Sequence, residues 1–132
     1  MRYKYLDHTA DIKFQSFGKT IEEAFSNAAY AMINILYEKN VKEKITRKIN
    51  VKGIDRKALL YSFLEEILFL LNTENFLLSK VKKISIKDNE LTAELTGDNL
   101  NDYKLGLDIK AVTYNDMIIQ ENPAMTQVVL DI

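Results

Sequence analysis

The segment from residue 56 to residue 72 limits the choice of fold more than any other part of this chain. Its residues predict a helix with Asp55 as its N-cap, and apolar side chains occupy most of the helix circumference. Ser62, Glu65 and Glu66 form only a thin polar stripe. A helix that is apolar on nearly all sides has to be covered on more than one side, so we expect it in the middle of the core.

One further helix and a series of short strands are predicted around this central helix. Thr20 caps a helix that runs to about Tyr37, because acidic residues occupy its first turn and apolar residues recur on one face. Apolar and polar residues alternate in the predicted strands, which comprise residues 2–6, 11–17, 45–51, 80–86, 91–96, 107–114, 117–120 and 125–131.

Turn residues join most of these strands to their neighbours. Asp88-Asn89 and Asn115-Asp116 are typical of tight hairpin turns, and residues 97–104 are predicted to form a polar loop. Short connections favour antiparallel pairing over crossovers. The sequence therefore predicts one α+β domain over residues 1–132, with a mostly antiparallel sheet packed against two α-helices.

Composition favours a soluble protein of the cytoplasm. Of the 132 residues, 47% are hydrophobic and 28% are charged, as in ordinary globular domains, and cysteine is absent. Disulfides and thiolate metal sites are thereby excluded, which suits a reducing compartment. The N-terminal residues lack the apolar core of a signal peptide, and no apolar stretch approaches the length of a membrane span.

Charge is unevenly distributed along the chain. Lys104 and Lys110 are the only basic residues after residue 87, whereas acidic residues predominate there. If the fold keeps the basic and the acidic parts of the chain apart, the protein has oppositely charged faces. Otherwise these charges are only distributed over the solvent-exposed surface. Few aromatic residues interleave with the lysines, so an RNA-binding module alone is the weaker hypothesis, and we expect contact with RNA only through a partner.

Both ends of the chain carry candidate metal ligands. Asp7, His8 and Asp11 lie in a polar corner between two predicted strands, and the last strand ends on Asp131 and the main-chain carboxylate of Ile132. If the fold brings the ends together, these oxygens form a site for a hard divalent cation. The alternative is that the corner residues only close a turn through hydrogen bonds to their own backbone.

Lys110 is the second candidate functional residue. It lies within the acidic C-terminal segment, where it would meet an anionic partner or pair with the carboxylates; the alternative is a solvent-facing strand lysine. Glu65 and Glu66 are adjacent and diverge by about 100° on a helix, so they do not form a carboxylate pair. The chain shows no catalytic triad spacing, glycine-rich phosphate loop or histidine pair.

Five segments of the chain resemble the archease family, in the family's order and spacing. They are Asp-His-Thr-Ala-Asp-Ile at 7–12, Thr-Ile-Glu-Glu-Ala-Phe at 20–25, Leu-Leu-Tyr-Ser-Phe-Leu-Glu-Glu-Ile-Leu-Phe-Leu at 59–70, Ile-Lys-Ala-Val-Thr-Tyr at 109–114 and Val-Val-Leu-Asp-Ile at 128–132. The resemblance implies a non-catalytic activator of the RtcB-type tRNA-splicing ligase. Such activators promote guanylylation of the ligase, restore its turnover and broaden its use of nucleoside triphosphates.

The same resemblance implies a metal site formed by Asp11, Asp131 and Ile132. Calcium is the expected ion, with magnesium or manganese as alternatives, and Asp7, His8 and Lys110 are supporting candidates. The chain departs from the family pattern at three positions, where it has Asn72, Lys104 and Asn115. These three positions lie outside the carboxylate set of Asp11, Asp131 and Ile132, so the departures leave that set intact and affect only a further ligand or supporting role at the three positions.

Two other classes of function compete with the activator hypothesis. A small metal-dependent phosphohydrolase would use the same carboxylates and would need His8, the only obvious base, to activate water. A general chaperone or RNA-binding adaptor would instead show salt-dependent affinity for RNA without the ligase.

Overall fold

The computed structural model describes residues 1–8 and 10–132. Within these ranges the chain forms seven strands, two α-helices and one short 3-10 helix. The strands are β1 (Tyr3–Leu6), β2 (Ile12–Gly18), β3 (Ile45–Lys52), β4 (Phe76–Lys87), β5 (Glu90–Asn99), β6 (Ala111–Glu121) and β7 (Ala124–Asp131). The α-helices are α1 (Ile21–Leu36) and α2 (Arg56–Glu74), and the 3-10 helix is Leu100–Asp102.

The strands form two antiparallel sheets. One sheet has the order β1-β2-β7-β6, so the N-terminal strands pair with the C-terminal strand. The other has the order β3-β5-β4 and is formed by the middle of the chain. The predicted α+β class, with antiparallel sheet and two helices, is confirmed.

Helix α2 occupies the interior, as its composition predicts. Leu59, Leu60, Phe63 and Leu64 are fully buried, and α2 contacts β6 of the four-stranded sheet and all three strands of the other. Contact with both sheets explains why apolar side chains are needed on more than one side of this helix. Helix α1 packs mainly on β2 and also reaches β7 and β4.

Local signals at the ends of these elements are also confirmed. The hydroxyl of Thr20 accepts from the N–H of Glu23, and the carboxylate of Asp55 accepts from that of Ala58, as expected of N-caps. Asp88 and Asn89 both have positive φ, at 52° and 59°, and turn the chain between β4 and β5.

Two boundaries in the middle of the chain were predicted wrongly. Strand β4 begins at Phe76 rather than Lys80, because Phe76, Leu77 and Leu78 are all buried and do not alternate with polar residues. The predicted loop 97–104 is partly strand, since β5 continues to Asn99. Gly97 permits this extension, because a β-carbon on it would clash with the main-chain oxygen of Leu77.

The predicted hairpin between residues 107–114 and 117–120 is also wrong. Residues 107–110 lie outside any strand, and β6 is one strand whose pairing with β7 shifts between Thr113 and Ile118. Asn115 and Asp116 therefore lie in a bulge, in which residues 114–117 of β6 stand opposite a single residue of β7. The side-chain amide of Gln127 donates to the main-chain oxygen of Asp116 at 2.7 Å and holds this bulge against β7.

Candidate functional site

The pairing of β2 with β7 brings the two acidic ends of the chain to one edge of the four-stranded sheet. Ile12 pairs with Leu130 at this end of the ladder. Asp11 directly precedes Ile12, and Asp131 directly follows Leu130, so both carboxylates leave the backbone at the same end of the two strands. Asp131 is exposed and Ile132 is half-buried. The three residues of the implied metal set therefore belong to one region.

Lys110 reaches the same edge through its backbone. Ala111 stands opposite Asp131 at the start of β6, and the N–H of Lys110 donates to the main-chain oxygen of Asp131 at 2.8 Å. The side chain of Lys110 is exposed, and within the described part of the chain its amine forms no ion pair. The structure thus fixes the main chain of Lys110 beside Asp131 while its amine remains in solvent.

Asp7 and His8 lie in the connection between β1 and β2, and Thr9 of the first motif lies outside the described residues. His8 Nδ1 is 4.0 Å from Asp11 Oδ2, which is too long for a hydrogen bond but allows attraction when the imidazole is protonated. Ala10 has a φ of 66°, a left-handed conformation that alanine rarely adopts, and it marks a sharp corner just before Asp11.

A cavity of about 360 Å³ lies beside this corner. Asp7, His8 and Asp11 line it together with Glu38, which follows the C-terminus of α1 and which sequence reasoning missed. No local pattern singles out Glu38, because only the packing of α1 against the sheet brings it to this cavity. The wall of this cavity therefore includes the carboxylates of Asp7, Asp11 and Glu38 and the imidazole of His8.

Tyr5 lines the same cavity and remains a neutral phenol. Its hydroxyl donates to the main-chain oxygen of Ala31 at 2.7 Å and accepts from the amide of Asn34 at 3.2 Å. Burial raises the pKa of Tyr5 above its ordinary value, and the hydrogen bond from Asn34 opposes this shift only in part. Tyr5 thus fixes α1 against β1 and offers no base to the site.

The donor set fits a hard cation better than a soft one. Among residues 1–8 and 10–132, no three His, Cys, Asp or Glu side chains lie close enough together to hold a metal ion. The set implied by the resemblance needs only two such side chains, Asp11 and Asp131, and takes its third donor from the main chain of Ile132. All of these donors are oxygens, which suit calcium, magnesium or manganese. A site with so few protein ligands is open to water or to oxygens of a partner.

Nearly the whole chain matches the model of a protein family. Residues 3–132 match the model of the Archease protein family (MTH1598/TM1083). The chain belongs to the archease family.

Curated relatives with the family name cover nearly all of the chain. Protein archease of Methanosarcina barkeri is 38% identical over 140 residues, which covers 99% of this chain and 96% of the relative. Protein archease of Thermococcus kodakarensis is 38% identical, covering 92% and 90% respectively. A eukaryotic relative, the archease-like protein of Drosophila melanogaster, is 34% identical and covers 92% and 82%.

Two solved structures share the fold. The solution structure of protein 1598 of Methanobacterium thermoautotrophicum superposes with a TM-score of 0.83 at 33% identity and covers 99% of both chains. A crystal structure from Thermotoga maritima, described as an archease and possible chaperone, superposes with a TM-score of 0.61 at 22% identity over 98% of this chain. The second similarity supports the fold only. In the described part of this chain, neither helix is long and apolar enough to cross a membrane.

Proposed function

We propose that this protein is a non-catalytic activator of an RtcB-type tRNA-splicing ligase in the cytoplasm. In this role it promotes guanylylation of the ligase and its turnover, and it broadens the nucleoside triphosphates that the ligase accepts. Membership of the archease family supports the assignment. The observation that carries the proposal is the pairing of Ile12 with Leu130, because it brings the carboxylates of Asp11 and Asp131 to one exposed edge.

Asp11, Asp131 and the main-chain carboxylate of Ile132 would hold one divalent cation, with calcium as the expected ion. A bound cation supplies positive charge that offsets the negative charge of a triphosphate. The chain's own residues would position this charge, since Asp11 directly precedes the first pair of the β2–β7 ladder, Asp131 directly follows it, and the N–H of Lys110 donates to the main-chain oxygen of Asp131. The edge is exposed, so it is accessible to the active site of another protein.

Asp7, His8 and Lys110 would support this edge rather than ligate the ion. His8 lies near Asp11 and would orient its carboxylate, and the exposed amine of Lys110 would meet phosphate oxygens or acidic groups of the ligase. In this proposal the chemical step belongs to the ligase, whose histidine attacks the α-phosphate of GTP while pyrophosphate leaves.

Single-turnover guanylylation of the cognate ligase tests the proposal. We expect acceleration by the wild-type protein and loss of most of it with Asp131→Asn, which keeps the size of the side chain and removes its charge. Asp102→Asn is the matched control, because Asp102 is an exposed acid on the 3-10 helix and lies outside the edge. A version extended by one alanine after Ile132 tests the contribution of the main-chain carboxylate.

Three results would contradict the proposal in different ways. No acceleration by the wild-type protein would reject the activator role. Equal acceleration by Asp131→Asn would keep the activator and reject the carboxylate site. Release of phosphate from simple phosphate esters by the protein alone would show it to be an enzyme and support the phosphohydrolase alternative.

A further inference from the structure

The outward face of the three-stranded sheet carries two matching rows of charged residues. Lys48 of β3 and Lys83 of β4 both stand opposite Glu94 of β5. Four residues further along the strands, Lys52 of β3 and Lys87 of β4 both stand opposite Glu90. Each row therefore reads Lys–Glu–Lys across the sheet.

These six side chains point away from the core. On β3 and β5 the neighbouring residues Ile49, Ala93 and Leu91 are buried, and on β4 Ile84 and Ile86 are half-buried and pack against the core. Side chains alternate between the two faces of a strand, so the charged rows face solvent. All four lysines are exposed, whereas Glu90 and Glu94 on the central strand are only half-exposed.

The four lysine amines are free although each stands opposite a carboxylate. Within residues 1–8 and 10–132, no carboxylate oxygen lies within 4.0 Å of any of them. Glu90 instead accepts from the side-chain amide of Asn50 at 3.0 Å. The face consequently presents four cations in solvent above two less exposed carboxylates.

The lysines at the other end of β4 differ, because Lys80 and Lys82 share one acidic partner from a loop. Glu43 lies 3.5 Å from the amine of Lys80 and 3.4 Å from that of Lys82, and it accepts from the hydroxyl of Thr96 at 2.7 Å. The hydrogen bond from Thr96 and the two lysines lower the pKa of Glu43 below its ordinary value. Unlike Lys80 and Lys82, the four lysines of the two rows have no acidic partner within the described residues.

We propose that this face, formed by Lys48, Lys52, Lys83 and Lys87, binds the phosphodiester backbone of RNA without regard to sequence. Adjacent strands are ~4.8 Å apart and residues rise ~3.3 Å each, so the four cations form a grid of roughly 10 by 13 Å. A grid of this size spans several phosphates of one nucleic-acid strand. The choice of RNA among polyanions rests on the proposed function, since RNA is the substrate of the ligase. The proposal departs from the expectation that RNA is contacted only through a partner, because the sequence alone did not show that these four lysines share one face.

The side chains between the two rows favour nucleic acid over an acidic protein. Asn50, Thr92 and Ser85 occupy these positions, and all three are small, polar and exposed. Protein interfaces are depleted in lysine and depend on apolar or aromatic anchors, whereas nucleic-acid interfaces are polar and strongly basic. The rows offer no aromatic platform for base stacking, which is why the binding would not depend on sequence.

Fluorescence anisotropy with a labelled oligouridylate, in the absence of the ligase, tests the proposal directly. The test variant replaces Lys48, Lys52, Lys83 and Lys87 by Gln. The matched control replaces Lys4, Lys19, Lys39 and Lys57, four exposed lysines elsewhere, and loses the same charge. We expect the test variant to bind at least about tenfold more weakly at low salt, and its slope of log affinity against log salt to fall by about 3. The control should retain both values.

Equal weakening in the two variants would overturn the proposal, because it would show a response to net charge alone. Absence of binding by the wild-type protein would also overturn it, as would binding to the ligase that is lost in the test variant without any affinity for RNA. Thermal unfolding of each variant verifies that it is folded.

A second measurement separates this proposal from the proposed function. Guanylylation of the ligase requires no RNA, so the lysine test variant should accelerate that step as the wild type does. It should, however, stimulate RNA joining less than the wild type does at low RNA concentration. Asp131→Asn should fail already at guanylylation. A lysine variant that fails at guanylylation would contradict an RNA-binding role for the face.

Discussion

Asp11 and Asp131 are separated by almost the whole chain, and only the pairing of the first and last strands makes them neighbours. The sequence singled out Asp11 because it lies in a polar corner between two predicted strands, and Asp131 because the apolar last strand ends on it. It could not supply the register of Ile12 with Leu130, which depends on the packing of whole strands. Nor could it identify Glu38, which lines the same cavity as Asp11 because α1 packs against the sheet. Residue types are readable from the sequence, whereas their proximity is not.

The edge of the four-stranded sheet that carries Asp11, Asp131 and Ile132, here called the carboxylate edge, predicts a measurable response to calcium. Calcium at about 100 times its dissociation constant should raise the free energy of unfolding by about 2.7 kcal/mol, because it binds only the folded chain. Asp11→Asn should weaken calcium binding by about tenfold or more, since it removes one charged ligand. Isothermal titration calorimetry and thermal unfolding with and without calcium measure both effects. Asp102→Asn should behave as wild type, and equal calcium affinity in Asp11→Asn would exclude this residue as a ligand.

Asp98, which lies outside the proposed metal site, predicts that the stability of the fold depends on pH. This buried carboxylate accepts from the hydroxyl of Tyr103 at 2.8 Å and from the N–H of Asn99, and the bond from Tyr103 does most to hold its pKa below the ordinary value. A lowered pKa stabilises the fold above the unfolded value of about 3.9, and this contribution is lost as the pH falls through the folded value.

Tyr103→Phe should therefore raise the pKa of Asp98 toward its ordinary value and shift acid unfolding to higher pH. Carbon-detected NMR titration of the carboxyl groups measures the pKa. Tyr114→Phe is the control, because Tyr114 stacks on Tyr61 and has no contact with Asp98. An unchanged pKa in Tyr103→Phe would show that the other contacts of Asp98 are sufficient.

Helices and their caps were predicted more successfully than the ends of strands. Thr20, Asp55 and the Asp88-Asn89 turn act through neighbours within a few residues, so a local pattern specifies them. The bulge around Asp116 depends instead on Gln127 of another strand. Asn and Asp with positive φ occur both in hairpin turns and in bulges, and only the partner strand decides between the two.

Helix α2 allows a comparison of buried and exposed positions within one element. Leu64 is fully buried and Phe69 is 50% exposed. Leu64→Ala should lower the free energy of unfolding by about 2–5 kcal/mol, because it removes buried methyl groups and leaves a cavity. Phe69→Ala should cost about 1 kcal/mol or less. Urea denaturation followed by circular dichroism measures both, and similar losses would contradict the central position of α2.

The whole molecule joins a sheet formed by the two ends of the chain to a sheet formed by its middle. Helix α2 contacts both sheets, and Arg56 at its first turn bonds Glu121 at 3.0 Å and Asn89 at 2.5 Å. Glu121 ends β6 and Asn89 belongs to the β4–β5 turn, so this one side chain links the two sheets. Neither sheet can cover its apolar face without the helices. We therefore expect the molecule to unfold as one cooperative unit.

Native-state hydrogen exchange tests this cooperativity. The slowest amides of β5 and of β7 should exchange with the same free energy, equal to that of global unfolding, because each sheet depends on α2 for burial. Leu64→Ala should lower both values by the same amount. A loss of protection confined to β5 would show that the three-stranded sheet opens by itself. The carboxylate edge of the other sheet would then persist during that opening, and calcium would stabilise the four-stranded sheet without protecting β5.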